Sequence, residues 1–205
     1  MDTFILIGIT GIGLGALYFL VASGLSLIYG LMGVLNFAHG SFLTVGAFVG
    51  YWIATKLGPE TSMIDFIIAM IVGGLAAGLF ALLIEQLLIT RLYDRHIDQA
   101  LVTVGVSLVV GAVLAGWFGN DLIMFPAPMW FLTAINVGGA MIPADRVVYI
   151  ATAVLLLIGN WILLKYTRIG LIIRAGVENR NMVNALGINV RRAFSTVFFL
   201  SLIHI

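Results

Sequence analysis

Six residues in the first quarter of the chain, Asn36-Phe37-Ala38-His39-Gly40-Ser41, place an amide, an imidazole and a hydroxyl inside an otherwise apolar stretch. Such side chains form hydrogen bonds, and at membrane depth they are tolerated only where they are buried in protein or line a water-filled cavity. The alternative is a cytoplasmic turn between two membrane spans, in which Asn36 or Ser41 caps the helix that follows. The residues alone leave both interpretations open.

A second segment, from Tyr166 to Arg192, mixes apolar and charged residues. It predicts a helix that follows Gly170 and ends at Gly187, since glycine is a favoured residue just after a helix. An amphipathic helix between spans either lies on the lipid surface or docks into another protein. Its polar residues include Glu178 and several asparagines rather than mainly Lys and Arg, so we favour protein docking. The apolar residues at roughly helical spacing are Ile173, Val177, Met182, Val183 and Leu186.

The sequence contains no motif for catalysis or cofactor binding. A phosphate-binding loop needs a lysine after glycine, whereas Lys56 follows Thr55 and Lys165 follows Leu164. Histidines at 39, 96 and 204 are too far apart for a local metal site, and the absence of cysteine excludes thiolate chemistry. We therefore expect a chain that is not an enzyme, with no catalytic residues, no metal and no cofactor.

Composition identifies the elements that must position these segments. Of 205 residues, 62% are hydrophobic and 9% are charged, against about 25% charged in soluble domains. This excludes a solvated enzyme, a disordered chain and a nucleic-acid binder with a basic field. The prediction is an all-α integral membrane protein, a polytopic helical bundle forming one domain over 1–205. Five complete spans and one incomplete span are expected: two within 4–55, then 66–84, 99–120, 147–164 and a start near Ala193.

The basic residues predict the orientation. With alternating spans, one side of the membrane holds Lys56 and Arg146, and the other holds the remaining eight: Arg91, Arg95, Lys165, Arg168, Arg174, Arg180, Arg191 and Arg192. Because basic residues concentrate in cytoplasmic loops, 91–98 and 165–192 are expected in the cytoplasm and the N-terminus outside. The connection 118–146 is then external, with a turn at Gly138-Gly139.

Three segments in the correct order resemble the permeases of branched-chain amino-acid ABC transporters, and specifically the H-type subunit. GLSLIYGLMGVLNFAHGSFLTVGA (24–47) resembles the N-terminal signature of that family. RLYDRHIDQALVTVG (91–105) resembles its first cytoplasmic connection, and RIGLIIRAGVENRNMVNALGINVRRAF (168–194) resembles its coupling loop. The M-type permease carries a different sequence where this chain has Asn36 to Gly40.

The resemblance implies a subunit of an importer in a prokaryotic inner membrane, embedded in membrane lipid. Its partners would be a second, M-type permease, two ATP-binding subunits and an external solute-binding protein. The coupling loop would be 166–192. The resemblance places Asn36, Phe37, His39, Gly40 and Ser41 near the translocation path. Against the ATP-binding subunit it places Arg174, Ala175, Glu178, Asn179, Leu186 and Gly187.

The chain departs from this family in two ways. Relatives often carry arginines where this chain has Gln86 and Thr90 beside Glu85. They also continue for roughly a hundred further residues, so we expect a C-terminally truncated chain in which 200–205 is non-native sequence. The expected substrate is a branched-chain amino acid or a similar small polar solute. The alternatives are an ATP-independent channel or facilitator, and a related permease for urea, short amides or small organic acids.

Overall fold

A computed structural model describes residues 2–57, 62–92, 95–119, 121–188 and 190–203. Parts of the predicted segments lie outside these residues: 93–94, 120, 189 and 204–205. The helices are α1 (Asp2–Met32), α2 (His39–Leu57), α3 (Met63–Leu87), α4 (His96–Phe118), α5 (Ala144–Tyr166), α6 (Arg168–Glu178), α7 (Arg180–Ala185) and α8 (Val190–Ile203). Strands β1 (Ala134–Val137) and β2 (Ala140–Pro143) lie between α4 and α5, and 3₁₀ turns cover Ile89–Leu92 and Met129–Leu132.

Four helices in the described part of the chain are long and apolar enough to cross a membrane: Thr3–Gly30, Met63–Leu87, His96–Phe118 and Ala144–Tyr166. The all-α membrane fold is thus confirmed. The expected second span is α2, which is not among these four. Its 19 residues extend about 28 Å at 1.5 Å per residue, close to the thickness of the hydrocarbon core.

Small residues bring α2 and α3 into backbone contact. A Cβ built on Gly73 would lie 2.6 Å from the carbonyl oxygen of Gly46, and one built on Gly50 would lie 3.1 Å from that of Ala69. Glycine at these positions lets the two helix backbones approach closely, as in other membrane helix pairs. The pair α2–α3 packs in turn against α4 and α8, and α1 packs against α5 and α8.

The main apolar core lies where the α1–α2 connection meets α3 and α8. Its buried members include Ile28, Phe42, Ala81 and Phe198. The ring of Phe42 meets the rings of Phe80 and Phe198 edge-on, at centroid distances of 5.7 and 6.4 Å. This core therefore fixes the start of α2 between three other helices.

The connection between α4 and α5 ends in an antiparallel hairpin. Val137 pairs with Ala140 across a two-residue turn, and both turn residues, Gly138 and Gly139, have positive φ values of 60° and 91°. Glycine adopts such values without steric cost, which is why this dipeptide suits a tight hairpin. The predicted turn is confirmed, and the external position of 118–146 stays a prediction.

The predicted single helix after Gly170 is wrong in two respects. The helical segment begins earlier, at Arg168, because the Thr167 hydroxyl accepts a hydrogen bond from the Gly170 amide at 3.0 Å and caps α6. It is also interrupted at Asn179 (φ −152°, ψ 89°). There the side-chain oxygen of Asn179 accepts from the Met182 amide at 3.0 Å and starts a new helix, α7. Gly187 follows α7 with a positive φ of 79°.

Candidate functional site

The polar run at 36–41 spans the end of a buried, non-helical connection and the first turn of α2. Gly33, at φ 65°, begins the connection after α1. Asn36 is 1% exposed and His39 is 3% exposed. The Asn36 and His39 side chains are therefore enclosed by protein, as polar groups at membrane depth must be unless they line a wet cavity.

Side chains of α4 satisfy the open backbone of this connection. The Phe37 amide donates to the Thr103 hydroxyl at 3.2 Å, and that hydroxyl lies 3.3 Å from the carbonyl oxygen of Leu35. The side-chain oxygen of Asn36 accepts from the Ala38 amide at 3.1 Å, so Asn36 forms a local turn before α2. Ser41 does not cap the helix: its hydroxyl meets that of Ser107 at 2.7 Å.

Three residues of α4 that sequence reasoning missed form one polar stripe along this connection. Gln99, Thr103 and Ser107 are four residues apart and lie on one helix face. Gln99 and Thr103 are fully buried, and the Gln99 amide group donates to the carbonyl oxygen of Leu92 at 2.6 Å. The signal that could have revealed the stripe is the regular spacing of polar residues in a helix that is otherwise apolar.

The imidazole of His39 lies between α1 and α8. A Cβ added to Gly24 would come within 3.0 Å of two ring atoms and 2.4 Å of the Ser201 carbonyl oxygen. Gly24 thus leaves the space that the ring occupies. The carbonyl of Val21 lies near the ring without normal hydrogen-bond geometry.

Several polar atoms around the run have unused hydrogen-bonding capacity. Among the described residues, the Asn36 amide nitrogen, both His39 ring nitrogens and the Gln99 side-chain oxygen are buried without a hydrogen-bond partner. Buried polar groups are normally paired, so these atoms keep hydrogen-bonding capacity that the described residues do not use. Phe37 (58% exposed) and Gly40 face the outside of the bundle instead.

The inner face of the α6–α7 segment is anchored to the bundle. Ile173 is fully buried against Val197 of α8, with Leu27 and Leu164 beside it. Val183 of α7 packs against Phe194, with Ala175 at the edge of the same cluster. The guanidinium of Arg174 donates to the carbonyl oxygen of Leu164, so this candidate coupling residue is tied to the end of α5.

The outer face of the same segment carries the other candidate residues. Glu178 and Asn179 are exposed, Leu186 is 69% exposed, and no atom lies within 4 Å of a Cβ built on Gly187. The predicted apolar stripe is therefore divided. Ile173 and Val183 point inward, while Val177, Met182 and Leu186 lie exposed on the outer surface. We call these three residues, together with Glu178, the outer face.

A buried carboxylate connects the C-terminal end of α3 with the first half of α8. Glu85 is fully buried. Its two oxygens accept hydrogen bonds from the hydroxyls of Thr90 at 3.2 Å and Ser195 at 3.0 Å. Ser195 follows directly on Phe194, which packs against α7. The α6–α7 segment is thus joined to α3 through α8.

Known proteins resemble the chain over nearly all of its length. Residues 7–203 match the family described as branched-chain amino acid transport system / permease component. The high-affinity branched-chain amino acid transport system permease protein LivH of Salmonella typhimurium is 26% identical over 196 residues, covering 92% of this chain and 63% of the relative. The LivH protein of Escherichia coli is 27% identical over 197 residues, with the same coverage of 92% and 63%.

A third relative, from another organism, gives a similar match. The probable branched-chain amino acid transport permease protein LivH of Methanocaldococcus jannaschii is 28% identical over 183 residues, covering 84% of this chain and 55% of the relative. The chain therefore spans less than two thirds of the length of these curated relatives. No solved structure matches the chain.

Proposed function

The chain belongs to the family of permease components of branched-chain amino acid transport systems, and on that premise we propose that it is a permease subunit of a binding-protein-dependent ABC importer. Its role would be to form part of the path by which a branched-chain amino acid or a similar small polar solute crosses the membrane. The observation that supports this most directly is the set of buried, unpartnered polar atoms at Asn36, His39 and Gln99. In a bundle of apolar helices, such atoms need water or a polar solute as a partner.

The translocation path would follow the contact between the α1–α2 connection and the polar stripe of α4. Asn36 and Ser41 would line it from one side, and Thr103 and Ser107 from the other. His39, whose ring lies between α1 and α8, would stand behind this contact. Phe37 and Gly40 would border it from the outside of the bundle, where a second, M-type permease subunit could complete the path. The exposure of Phe37, 58% in this chain alone, agrees with such a shared boundary.

The coupling site would be the α6–α7 segment, with its outer face seated on an ATP-binding subunit. Three exposed apolar side chains beside a carboxylate fit a protein groove better than an anionic lipid surface, which would repel Glu178. Arg174, Ala175 and the inner face would carry movement of that subunit into the bundle. Two ATP-binding subunits and an external solute-binding protein would complete the importer.

The proposed location is a prokaryotic inner membrane with the N-terminus outside. In this orientation 91–98 and 165–192 face the cytoplasm and 118–146 faces outward, as the distribution of basic residues predicts. Residues 1–205 would form one transmembrane domain, with 166–192 as its coupling loop. Residues 200–203 continue α8, and the assignment of 200–205 to non-native sequence stays a prediction.

The test is retention of ATP-binding subunits that are co-expressed with this chain. We expect Leu186→Asp, on the outer face, to release these subunits during purification from membranes. The matched control is Leu132→Asp, which makes the same change at a side chain that is 71% exposed in the connection between α4 and α5. Glu178→Arg should also weaken retention, with Glu178→Gln as its milder counterpart. Equal retention in all four variants would show that the outer face does not hold these subunits. Failure of the unmutated chain to retain any ATP-binding subunit would contradict the proposal and favour an ATP-independent channel or facilitator.

The substrate needs a separate measurement. Uptake by the intact transporter that contains this chain should be saturable for a branched-chain amino acid and should depend on ATP. Uptake of urea, short amides or small organic acids in its place would assign the chain to the alternative substrate classes of the family.

A further inference from the structure

An open apolar groove runs between α2 and α4, in the halves of these helices that lie beyond the polar stripe. It has a volume of about 700 Å³. Its walls extend from Val45 to Trp52 on α2 and from Val109 to Phe118 on α4, with Phe80 of α3 behind them. These side chains are all apolar or aromatic, so the groove is suited to a hydrocarbon ligand.

The groove is about one leaflet deep. It closes at the level where the Ser41 and Ser107 hydroxyls meet at 2.7 Å. The ten residues of its α4 wall span about 15 Å at 1.5 Å per residue, which is half of the ~30 Å hydrocarbon core. An acyl chain ends near the bilayer midplane and matches this depth. A transmembrane helix, about 10 Å wide and longer than the groove, does not.

A lysine lies just beyond the α2 wall, near the open end of the groove. Lys56 lies one helical turn beyond Trp52, and its Nζ is 6.0 Å from the centroid of the Trp52 ring. Trp117 on the opposite wall is 81% exposed. Tryptophan and lysine at the end of a membrane helix lie at headgroup level, where the ammonium group can meet a lipid phosphate.

We propose that this groove binds a glycerophospholipid, with one acyl chain between α2 and α4 and its phosphodiester against the Lys56 ammonium. The site needs only that the chain is embedded in a membrane and does not depend on the proposed transport function. The bound lipid would fill the space between α2 and α4, whose other halves line the proposed path. In the orientation proposed above, it lies in the outer leaflet.

The headgroup contact is tested by native mass spectrometry of the 205-residue chain in detergent with added phosphatidylglycerol. Lys56→Gln should weaken lipid binding about fivefold, the factor that corresponds to the attraction of one lysine for anionic headgroups. The matched control is Lys165→Gln. Lys165 also lies over a tryptophan, with Nζ 4.8 Å from the Trp161 ring centroid, but Trp161 does not line the groove. Equal binding by wild type and Lys56→Gln, or an equal loss in both variants, would overturn the proposal.

The acyl-chain contact is tested by filling the groove. Val113→Trp adds bulk at an α4 side chain that lines it, whereas Val104→Trp makes the same change on α4 outside it. Only the first variant should lower lipid retention, and equal retention by both would contradict the site. Because the chain has no native cysteine, Val113→Cys also tests the rival occupant. Efficient disulfide cross-linking of two copies through this position in membranes would show that protein, rather than lipid, fills the groove.

Discussion

The hydroxyl of Ser195 in α8 donates a hydrogen bond to Oε2 of Glu85 in α3, at 3.0 Å and across 110 residues of sequence. Glu85 is fully buried and also accepts from Thr90 at 3.2 Å. A buried carboxylate depends on such donors, because an unpaired charge in a low-dielectric interior is costly. This contact joins the helix that follows the α6–α7 segment to the paired helices α2 and α3.

The first prediction concerns the stability of this contact. Ser195→Ala removes one donor from Glu85 and should lower the free energy of unfolding by about 1 kcal/mol. The control is Ser23→Ala, since the Ser23 hydroxyl bonds only the Leu20 carbonyl of its own helix, at 3.0 Å. Thermal unfolding in detergent measures both. Equal melting temperatures for the two variants would remove Ser195 from any role in joining α3 to α8.

The second prediction concerns the proposed path. Thr103→Val keeps the side-chain shape but removes the hydroxyl that accepts from the Phe37 amide. We expect a loss of about 1 kcal/mol in stability and a larger fractional loss of uptake by the assembled transporter. Thr55→Val is the matched control, because the Thr55 hydroxyl bonds the Trp52 carbonyl within one helix.

Asn36 provides an independent test of the same path. Asn36→Leu should abolish most uptake, whereas Asn36→Asp retains the oxygen that accepts from the Ala38 amide and should retain the local turn. If uptake falls only in proportion to the amount of folded protein in the Asn36 and Thr103 variants, the run is a structural turn and not part of a path.

The third prediction concerns Gly187. Its φ of 79° is favourable for glycine and costs a β-branched residue about 1–2 kcal/mol. Gly187→Val should shift the end of α7 and uncouple uptake from ATP hydrolysis in the intact transporter. Gly187→Asn serves as control, because asparagine adopts left-handed backbone more readily. No atom lies within 4 Å of a Cβ built at this position, so the Cβ that both variants add meets open space. Coupled uptake at wild-type rates in Gly187→Val would contradict the proposed role.

The fourth prediction concerns orientation. Met141→Cys in the hairpin and Leu186→Cys after α7 place single cysteines at side chains that are 63% and 69% exposed. A membrane-impermeant thiol reagent should label position 141 in intact cells and position 186 only after permeabilisation. Labelling of position 186 from outside would reverse the proposed topology.

Features that depend on local sequence were predictable. The spans follow from long uncharged stretches, and the hairpin turn follows from Gly138-Gly139, since both depend on nearest neighbours in the chain. The end of α1 before Asn36 was predictable for the same reason. The spans and the end of α1 place the backbone that carries the candidate site residues.

Features that depend on contacts between distant elements were not predictable. The sequence favours Asn179 as one polar residue on a continuous helix, because nothing local indicates that its side chain caps α7 instead. The partnership of Thr103 with the α1–α2 connection spans 66 residues of sequence, and the space that Gly24 leaves for His39 requires three helices to meet. A single sequence does not reveal which helices are neighbours.

The contact between Gly46 and Gly73 also limits how the molecule can move. Where these glycines meet, backbone lies against backbone, and no side chain stands between α2 and α3 that could change rotamer and let one helix slide along the other. We therefore expect α2 and α3 to tilt together as one rigid pair. Glu85, near the end of α3, is hydrogen-bonded to α8. His39, the first residue of α2, lies beside the connection that contains Asn36. A displacement of α8 would therefore reach the polar run as a rotation of α2 and α3 together. Residues 33–38, which connect α1 to α2, would change conformation to allow it.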